Sequence, residues 1–517
     1  MAYARVKIMK TGIIPMTQSG AILGSPGQYK SPPFLMMPGN PVLEEFIIYD
    51  FKVNKIPEPE DINNIPDDYG KELVEVSQRT VKGYTYYCNL DADADWDDTP
   101  MWNSSSTTSE KKACLEARNM EGDGSQTNPW KNLTYALEQL QCFVVNQCCH
   151  YVRLVCTGTA HYTACLHSGY SNAHFRGNNI FILDGAKIEV SRISNIDVYA
   201  FRSFSSSIFY NCFATGEANS SSEMVVAFYE CSSSIFYNCF ATGEANSSSI
   251  RCSVNSFYSC RTNIFYHCTA KTATNTLADS YAYGFYGCGN DSIFYNCSAM
   301  ATTTLNIDPG PSESYINSYA YGFSFCDNSS FYHCSSTATT TATTETGNKQ
   351  YAYAYSFDAC DNNTFYGCIA ITVTTAHAKN SRNRIFGFNK CDSNTFYGCK
   401  ATAEATISDV DSINFSAYAF IDCNNSIFCD CSIEIRIIAT TTYYYATINA
   451  YGFSSYRDCT FYNNSFSYDV NISTTPDSYG NFEERENICG FNDFLGCHDP
   501  CYSIKRTQSG ITDYCNS

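Results

Sequence analysis

The residues best able to do chemistry in this chain are an acidic run, two thiol-rich clusters and an unusual wealth of tyrosine. Asp91, Asp93, Asp95, Asp97 and Asp98 lie close enough together to offer several oxygens to a hard cation. A helix-loop-helix calcium loop needs a glycine after its third acid and a bidentate glutamate to close it. Trp96 follows Asp95, so calcium at Asp91, Asp93 and Asp95 competes with the plainer reading of a solvated acidic turn. No other cofactor is expected. Cys142, Cys148, Cys149, His150, Cys156, His161 and Cys165 form one thiol-rich cluster, and Cys489, Cys497, Cys501 and Cys515 form another. Zinc sites favour closely paired cysteine knuckles. Only Cys497 and Cys501 have that spacing, so buried thiols or disulfides are the simpler expectation.

Catalysis needs unlike polar groups gathered at one place, such as two close carboxylates for glycoside hydrolysis or a positioned base for elimination. Charged residues are only 16% of the chain and fall at non-equivalent positions, so no catalytic residue is singled out. The formal net charge of −19 argues against nucleic acid as a partner, because binding phosphate requires basic patches. No apolar run is long enough to span a bilayer. The first forty residues also lack the apolar core of a recognisable signal peptide. Aromatic residues make up 15% of the chain, which separates this polar composition from that of a disordered one.

The elements that must position these residues are repeats. The segment Ser205–Ser222, SSSIFYNCFATGEANSSS, recurs unchanged at Ser232–Ser249. A motif S/N-x-F-Y-x-C then returns with cysteines at Cys212, Cys239, Cys268, Cys297, Cys334, Cys368, Cys399 and Cys431, at intervals of 27 to 37 residues. A constant motif with a variable interval implies a fixed strand and one loop that stretches. A second cysteine stands eight residues upstream in most copies (Cys231, Cys260, Cys326, Cys360, Cys391 and Cys423), with a D/N/S turn cluster between the pair. Ahead of it lies an alternating aromatic/small segment, YAYGF at Tyr281–Phe285 and Tyr319–Phe323 and YAYAYSF at Tyr351–Phe357. Each unit reads as strand, corner, strand and a further Ala/Thr-rich extended segment. Threonine tracts and the lack of a helical apolar stripe exclude a helical repeat.

The fold expected is therefore all-β, a parallel β-solenoid whose coils stack like on like. Period-two counting through IFYNCFA places Ile208, Tyr210, Cys212 and Ala214 on one face, and Phe209, Asn211 and Phe213 on the other. The Asn211 and Phe213 positions vary between copies, so Tyr and Cys of the motif are expected inside, the cysteines forming a structural ladder. Counting back from Cys288 puts Ala282 and Gly284 on the cysteine side and Tyr281, Tyr283 and Phe285 on the other. Tyr281, Tyr283, Tyr319, Tyr321, Tyr351 and Tyr353 would then form an exposed aromatic stripe for glycans or a protein partner. The competing reading is that these tyrosines fill a wide core. A threonine face for ice is disfavoured, because Lys271, Met300, Ile371, Val373 and Glu404 interrupt it.

Upstream of the repeats, EGDGSQTNPWKNLTYALEQLQ (Glu121–Gln141) couples a Gly-Asp-Gly turn and Pro129-Trp130 to a short amphipathic helix. It resembles the N-terminal cap of right-handed parallel β-helix proteins of the pectin-lyase-like superfamily, and Tyr86–Ala94 resembles the strand that precedes such a cap. The resemblance covers roughly residues 84–490 and implies a right-handed β-helix with a cap helix. It implies little about function, since the fold carries adhesins, tail spikes, lyases and hydrolases alike. The organisation expected is an extended N-terminal arm or attachment segment (1–83) that pairs with a neighbour, an entry strand and cap helix (84–150), β-helix repeats (151–485) and a Cys-rich C-terminal cap (486–517). The function expected is a non-enzymatic structural or adhesive protein, extracellular or at the cell surface. It would self-associate into a filament, surface layer or homo-oligomer. The alternative is a tail-spike-like protein that binds or cleaves glycans.

Overall fold

The computed structural model describes residues 41–53, 74–93, 122–146, 150–162, 175–192, 197–218, 224–247, 252–276, 279–307, 316–344, 349–377, 380–474, 483–495 and 502–506. They form a parallel β-solenoid of about eight turns. A typical coil has three strands, Cys252–Tyr258, Ile264–Tyr266 and Thr269–Thr276. Each pairs in parallel and in register with its counterpart in the next coil, Ser280–Tyr286, Ile293–Tyr295 and Ser298–Ile307. The 37-residue interval between Cys297 and Cys334 leaves this register intact, because its extra length falls between the third strand, ending at Ile307, and the next first strand, starting at Ile316. Two later coils run the third strand straight into the next first strand, as Lys400–Ile421 and Ser432–Arg457.

The corners explain how the faces are set. In every FYxC copy the residue between Tyr and Cys has a left-handed backbone: Asn211, Asn238, His267, Asn296, His333, Gly367, Gly398 and Asp430, with Asn463 in the last, cysteine-less copy. Asn and Gly are the residues that adopt this conformation most readily. One such residue resets the alternation of side chains. Phe209, Phe236, Phe265 and their successors are therefore fully buried, and the cysteines beyond the corner are buried too. Ile and Tyr of the same strand face outward, in clusters separate from the main core. This corrects the expectation that Tyr of the motif points inward and Phe outward; the cysteine assignment stands. The same device recurs at the other end of the turn cluster, where Phe228, Phe257, Phe285, Phe323, Phe357, Phe388 and Phe420 precede a left-handed residue and a buried cysteine by the same steps. Phe285 is thus inside, not on the tyrosine side, because the strand pairing skips Gly284 and both residues turn to the core.

The start of the solenoid is closed by helix α1, Leu133–Asn146. It buries Leu133, Ala136, Leu140, Phe143 and Val144 and packs on the strand Phe175–Asp184. Asn132 precedes it, and its carbonyl accepts the Ala136 N–H at 3.0 Å. Trp130 stacks on Tyr86 with ring centroids 5.2 Å apart. Gly124 is required there: its φ is +73°, and a Cβ would come within 2.9 Å of the Trp130 ring.

Strand β1 (Val42–Val53) pairs antiparallel with β2 (Val74–Asn89), from Val42 opposite Thr85 to Val53 opposite Val74. Strand β2 runs through the 83/84 junction, and its end pairs in parallel with β3 (Tyr151–Thr157). The described parts of the segment expected to reach for a neighbour are therefore paired within their own chain. This ribbon lies over the outer face of the first coils. Phe46, Ile48 and Phe51 are buried beneath it, Tyr49 stacks on Tyr237 at 4.5 Å, and Phe51 meets Tyr266 at 5.0 Å.

Candidate functional site

Two phenylalanine columns fill the core. Phe209, Phe236, Phe265, Phe294 and Phe331 stack face to face at 4.6–5.0 Å. Phe228, Phe257, Phe285 and Phe323 do the same at 4.7–4.9 Å, and the two columns meet edge to face at 5.3–5.5 Å. The edge-to-face contacts between the columns suit the ring quadrupole. Beside each column runs a column of thiols. Cys239 donates to the Phe209 carbonyl of the preceding coil at 3.4 Å, Cys268 to Phe236 at 3.3 Å and Cys297 to Phe265 at 3.3 Å. The position takes a hydrogen-bond donor, and the last copy shows it: Asn464 replaces the cysteine, and its Nδ2 donates to the Phe428 carbonyl at 3.2 Å. A third ladder, through Ser234, Asn263, Asn394, Ser426 and Cys459, links the turn clusters coil to coil. All twenty described cysteines with placed side chains are free thiols and buried. Burial pushes the Cys252 thiol up to about 12 and holds Cys431 well above the ordinary thiol range. Sealed in the core, the cysteines serve as small buried packing groups.

The candidate metal residues do other work or lie elsewhere. Asp91 Oδ1 accepts the Thr159 N–H at 2.9 Å, and the Asp91 N–H donates to Asn89 Oδ1 at 3.1 Å, so this carboxylate braces a turn. The Asp93 backbone belongs to a short 3-10 turn, its side chain lies outside the described parts, and Asp95 lies outside the described residues. Of the thiol-rich cluster near the first coil, Cys156 is buried, and His161 pairs instead with Glu189 at 2.9 Å. Cys497, Cys501 and Cys515 lie outside the described residues. Among the described residues, no group of three or more His, Cys, Asp or Glu side chains is arranged to hold a metal ion.

The tyrosine stripe is a continuous surface feature. Tyr281, Tyr283, Tyr319, Tyr321, Tyr351 and Tyr353 alternate with buried Ala282, Ala320, Ala352 and Ala354, and are themselves only partly exposed. What limits their exposure is each other. Tyr281, Tyr319 and Tyr353 stack at 4.9 Å, and Tyr283, Tyr321 and Tyr355 at 4.6 and 4.8 Å, with planes within 8° of parallel. Desolvation, followed by the neighbouring Tyr283 and Tyr355, pushes the Tyr321 phenol far up; desolvation and then Asp358 do the same to Tyr355. Rings stacked with near-parallel planes cover one another's faces. The stripe is a comb of phenols, not a flat platform.

One set of residues was missed by counting along the sequence. At the corner after the second phenylalanine column, Asp327 Oδ1 accepts the N–H of Asp361, Asp361 Oδ1 that of Asp392, and Asp392 Oδ1 that of Asn424, at 2.9, 2.8 and 2.7 Å. Nearby Asp358 is bound by Asn389 Nδ2 at 2.6 Å. Burial raises Asp358 to about 6, and burial also raises Asp361 to about 6, against its backbone hydrogen bond to Asp392 and with help from the charges of Asp327 and Asp392. The signal was the recurring C-D-x-N/S turn cluster.

The fold and its ladders define a class, the cysteine-rich parallel β-solenoid repeat proteins. Beyond that class, no protein-family model, curated protein or solved structure matches the chain. No described helix is long and apolar enough to cross a membrane.

Proposed function

We propose that this chain is a non-enzymatic structural or adhesive rod, extracellular or cell-surface, that self-associates into a filament or layer. We place it with the right-handed, pectin-lyase-like β-helices. The observation carrying this reading is the stripe from Tyr281 to Tyr355: one outward face repeats the same partly exposed side chain over three coils in strict register. A surface built by repetition offers every coil the same contact, which suits assembly along a length rather than capture of one small molecule. The stacking argues for a protein partner over a glycan, because sugar rings dock on open aromatic faces and these faces are occupied by their neighbours. Negative-stain images and sedimentation of the purified chain test the reading. Filaments, sheets or concentration-dependent oligomers are expected. A monomer at all concentrations that binds an arrayed polysaccharide and releases reducing ends from it would overturn it in favour of a tail-spike-like activity.

A further inference from the structure

The stripe is a two-dimensional array of phenols. Along the solenoid its rings repeat at 4.6–4.9 Å, and across each strand Tyr281 and Tyr283 stand 6.4 Å apart, Tyr319 and Tyr321 6.2 Å, Tyr351 and Tyr353 6.4 Å. On one side Ser253 and Asn255 replace the tyrosines; on the other Arg384 follows Tyr353, and Phe386 interrupts the phenols of the second column before Tyr418 and Tyr451 carry the stack on. Parallel π faces in contact share an electron vacancy, so a phenol in such a stack is oxidised more readily than an isolated one. The stack also fixes which atoms are reachable. Neighbouring rings cover the faces, and the tyrosines alternate with core-facing Ala282, Ala320, Ala352 and Ala354, so the rings stand on the outer side of the sheet and are partly exposed. Thiols, the competing reductants, are sealed on the far side of the sheet: Cys288, Cys326 and Cys360 are fully buried.

We infer that this array is a site of oxidative phenol coupling that joins two copies of the chain, with hydrogen peroxide and a haem peroxidase as the oxidising system. This rests on the self-association reading above. Each phenol gives up one electron and its hydroxyl proton. The two radicals form one carbon–carbon bond between ring positions ortho to oxygen. Each ortho hydrogen then moves to oxygen and restores the phenol. The two electrons and two protons reduce one peroxide to two waters. Coupling is edge to edge. Rings held face to face at 4.9 Å within one stack do not meet in that way, whereas outward edges of two copies do.

The test treats the full chain with peroxidase and peroxide, with and without N-acetyltyrosinamide as a small competing phenol, and maps the products by peptide mass spectrometry. Covalent dimers carrying dityrosine within the Tyr281–Tyr355 strands are expected. Replacing Tyr281, Tyr283, Tyr319, Tyr351 and Tyr353 by Phe should keep the stacks and the circular dichroism and lose most of the dimer. Adducts of the small phenol on the stripe without any chain dimer would overturn the pairing of copies while leaving the stripe reactive, which locates the failure in self-association. Crosslinks that map elsewhere, or a dimer yield undiminished in the variant, would overturn the inference itself.

Discussion

Two tyrosine ladders face outward from the same solenoid and differ in what lies above them. Tyr210, Tyr237 and Tyr266 sit on the short-strand face beneath the β1–β2 ribbon, where Tyr49 packs on Tyr237 and the Tyr49 N–H donates to the Tyr210 hydroxyl at 3.1 Å. Tyr281, Tyr319 and Tyr353 sit on the first-strand face, and among the described residues the β1–β2 ribbon makes its ring contacts on the other ladder. Under the roof, Tyr210 is turned 69° from Tyr237, a stack broken by an outside partner. Away from the ribbon, adjacent rings of the ladder differ by 6–7° and stack on one another. The same residue in the same register is thus glue in one place and surface in the other. The difference lies outside the sheet, and the core beneath is the same in both.

That last statement has the largest testable consequence. Phe236 lies beneath the roofed ladder, stacked between Phe209 and Phe265, and Phe285 lies beneath the open one, stacked between Phe257 and Phe323. Replacing either by Ala removes a fully buried ring from a column with little room to relax, so each should cost about 3–5 kcal/mol. The check is the shift in urea midpoint at unchanged slope. Clearly unequal costs would mean that the roof contributes to the core as well as to the surface, and the comparison would fail at its base.

Much of this was legible in the sequence, and the part that was not has a physical cause. The repeat, its strands, the stretching loop and the buried cysteines all follow from spacing. The inside and outside of Phe and Tyr do not, because period-two counting holds only within an unbroken strand, and residues such as Asn211 and His267 turn the chain through a left-handed corner just before the cysteine. The roof was hidden as well, since pairing between β1 and β2 depends on contacts distant in the chain. A trace of it was present: the residue before the motif Phe is Ile208, Ile235, Ile264 and Ile293 in four consecutive early coils and then Ser330, Thr364 and Thr395, with one exposed Ile427 and Thr460 beyond. An unbroken apolar run at an outward position of a repeat array marks a covered surface.

The second prediction concerns the end of the open ladder, where Asp358 lies beside Tyr355. Asp358 faces Asn389, Ser324, Cys360 and Lys390, and burial dominates, raising it to about 6 from its ordinary 3.8. A carboxyl whose pKa is raised by folding binds protons in the folded chain that the unfolded chain has released. Its penalty is therefore fully present above about pH 6 and is relieved as pH falls toward 4, so stability rises on mild acidification. Asp358 should contribute on the order of 2–3 kcal/mol over that window. Asp361 should add less, because solvent screens a half-exposed group. Unfolding midpoints across the window, with Asp358→Asn flattening most of the slope, would support this. A midpoint that falls equally in both proteins on acidification would refute it.

The smallest effect separates the two ladders most directly, because it deletes a single oxygen. Tyr210→Phe leaves the ring in place and removes the acceptor of the Tyr49 N–H, which then lies partly buried without its partner. Losing one such hydrogen bond should cost about 1 kcal/mol, and the loss should loosen the ribbon before the solenoid, as faster amide exchange in Phe46–Phe51. Tyr319→Phe deletes the same oxygen from a partly exposed ring, where the ring contacts at 4.9 Å persist. It should change stability by less than about 0.5 kcal/mol. If the two substitutions cost the same and exchange in β1 is unchanged, the roof does not hold through Tyr210. The ribbon would then be retained by its apolar contacts alone, Phe46, Ile48 and Phe51 against the outward face.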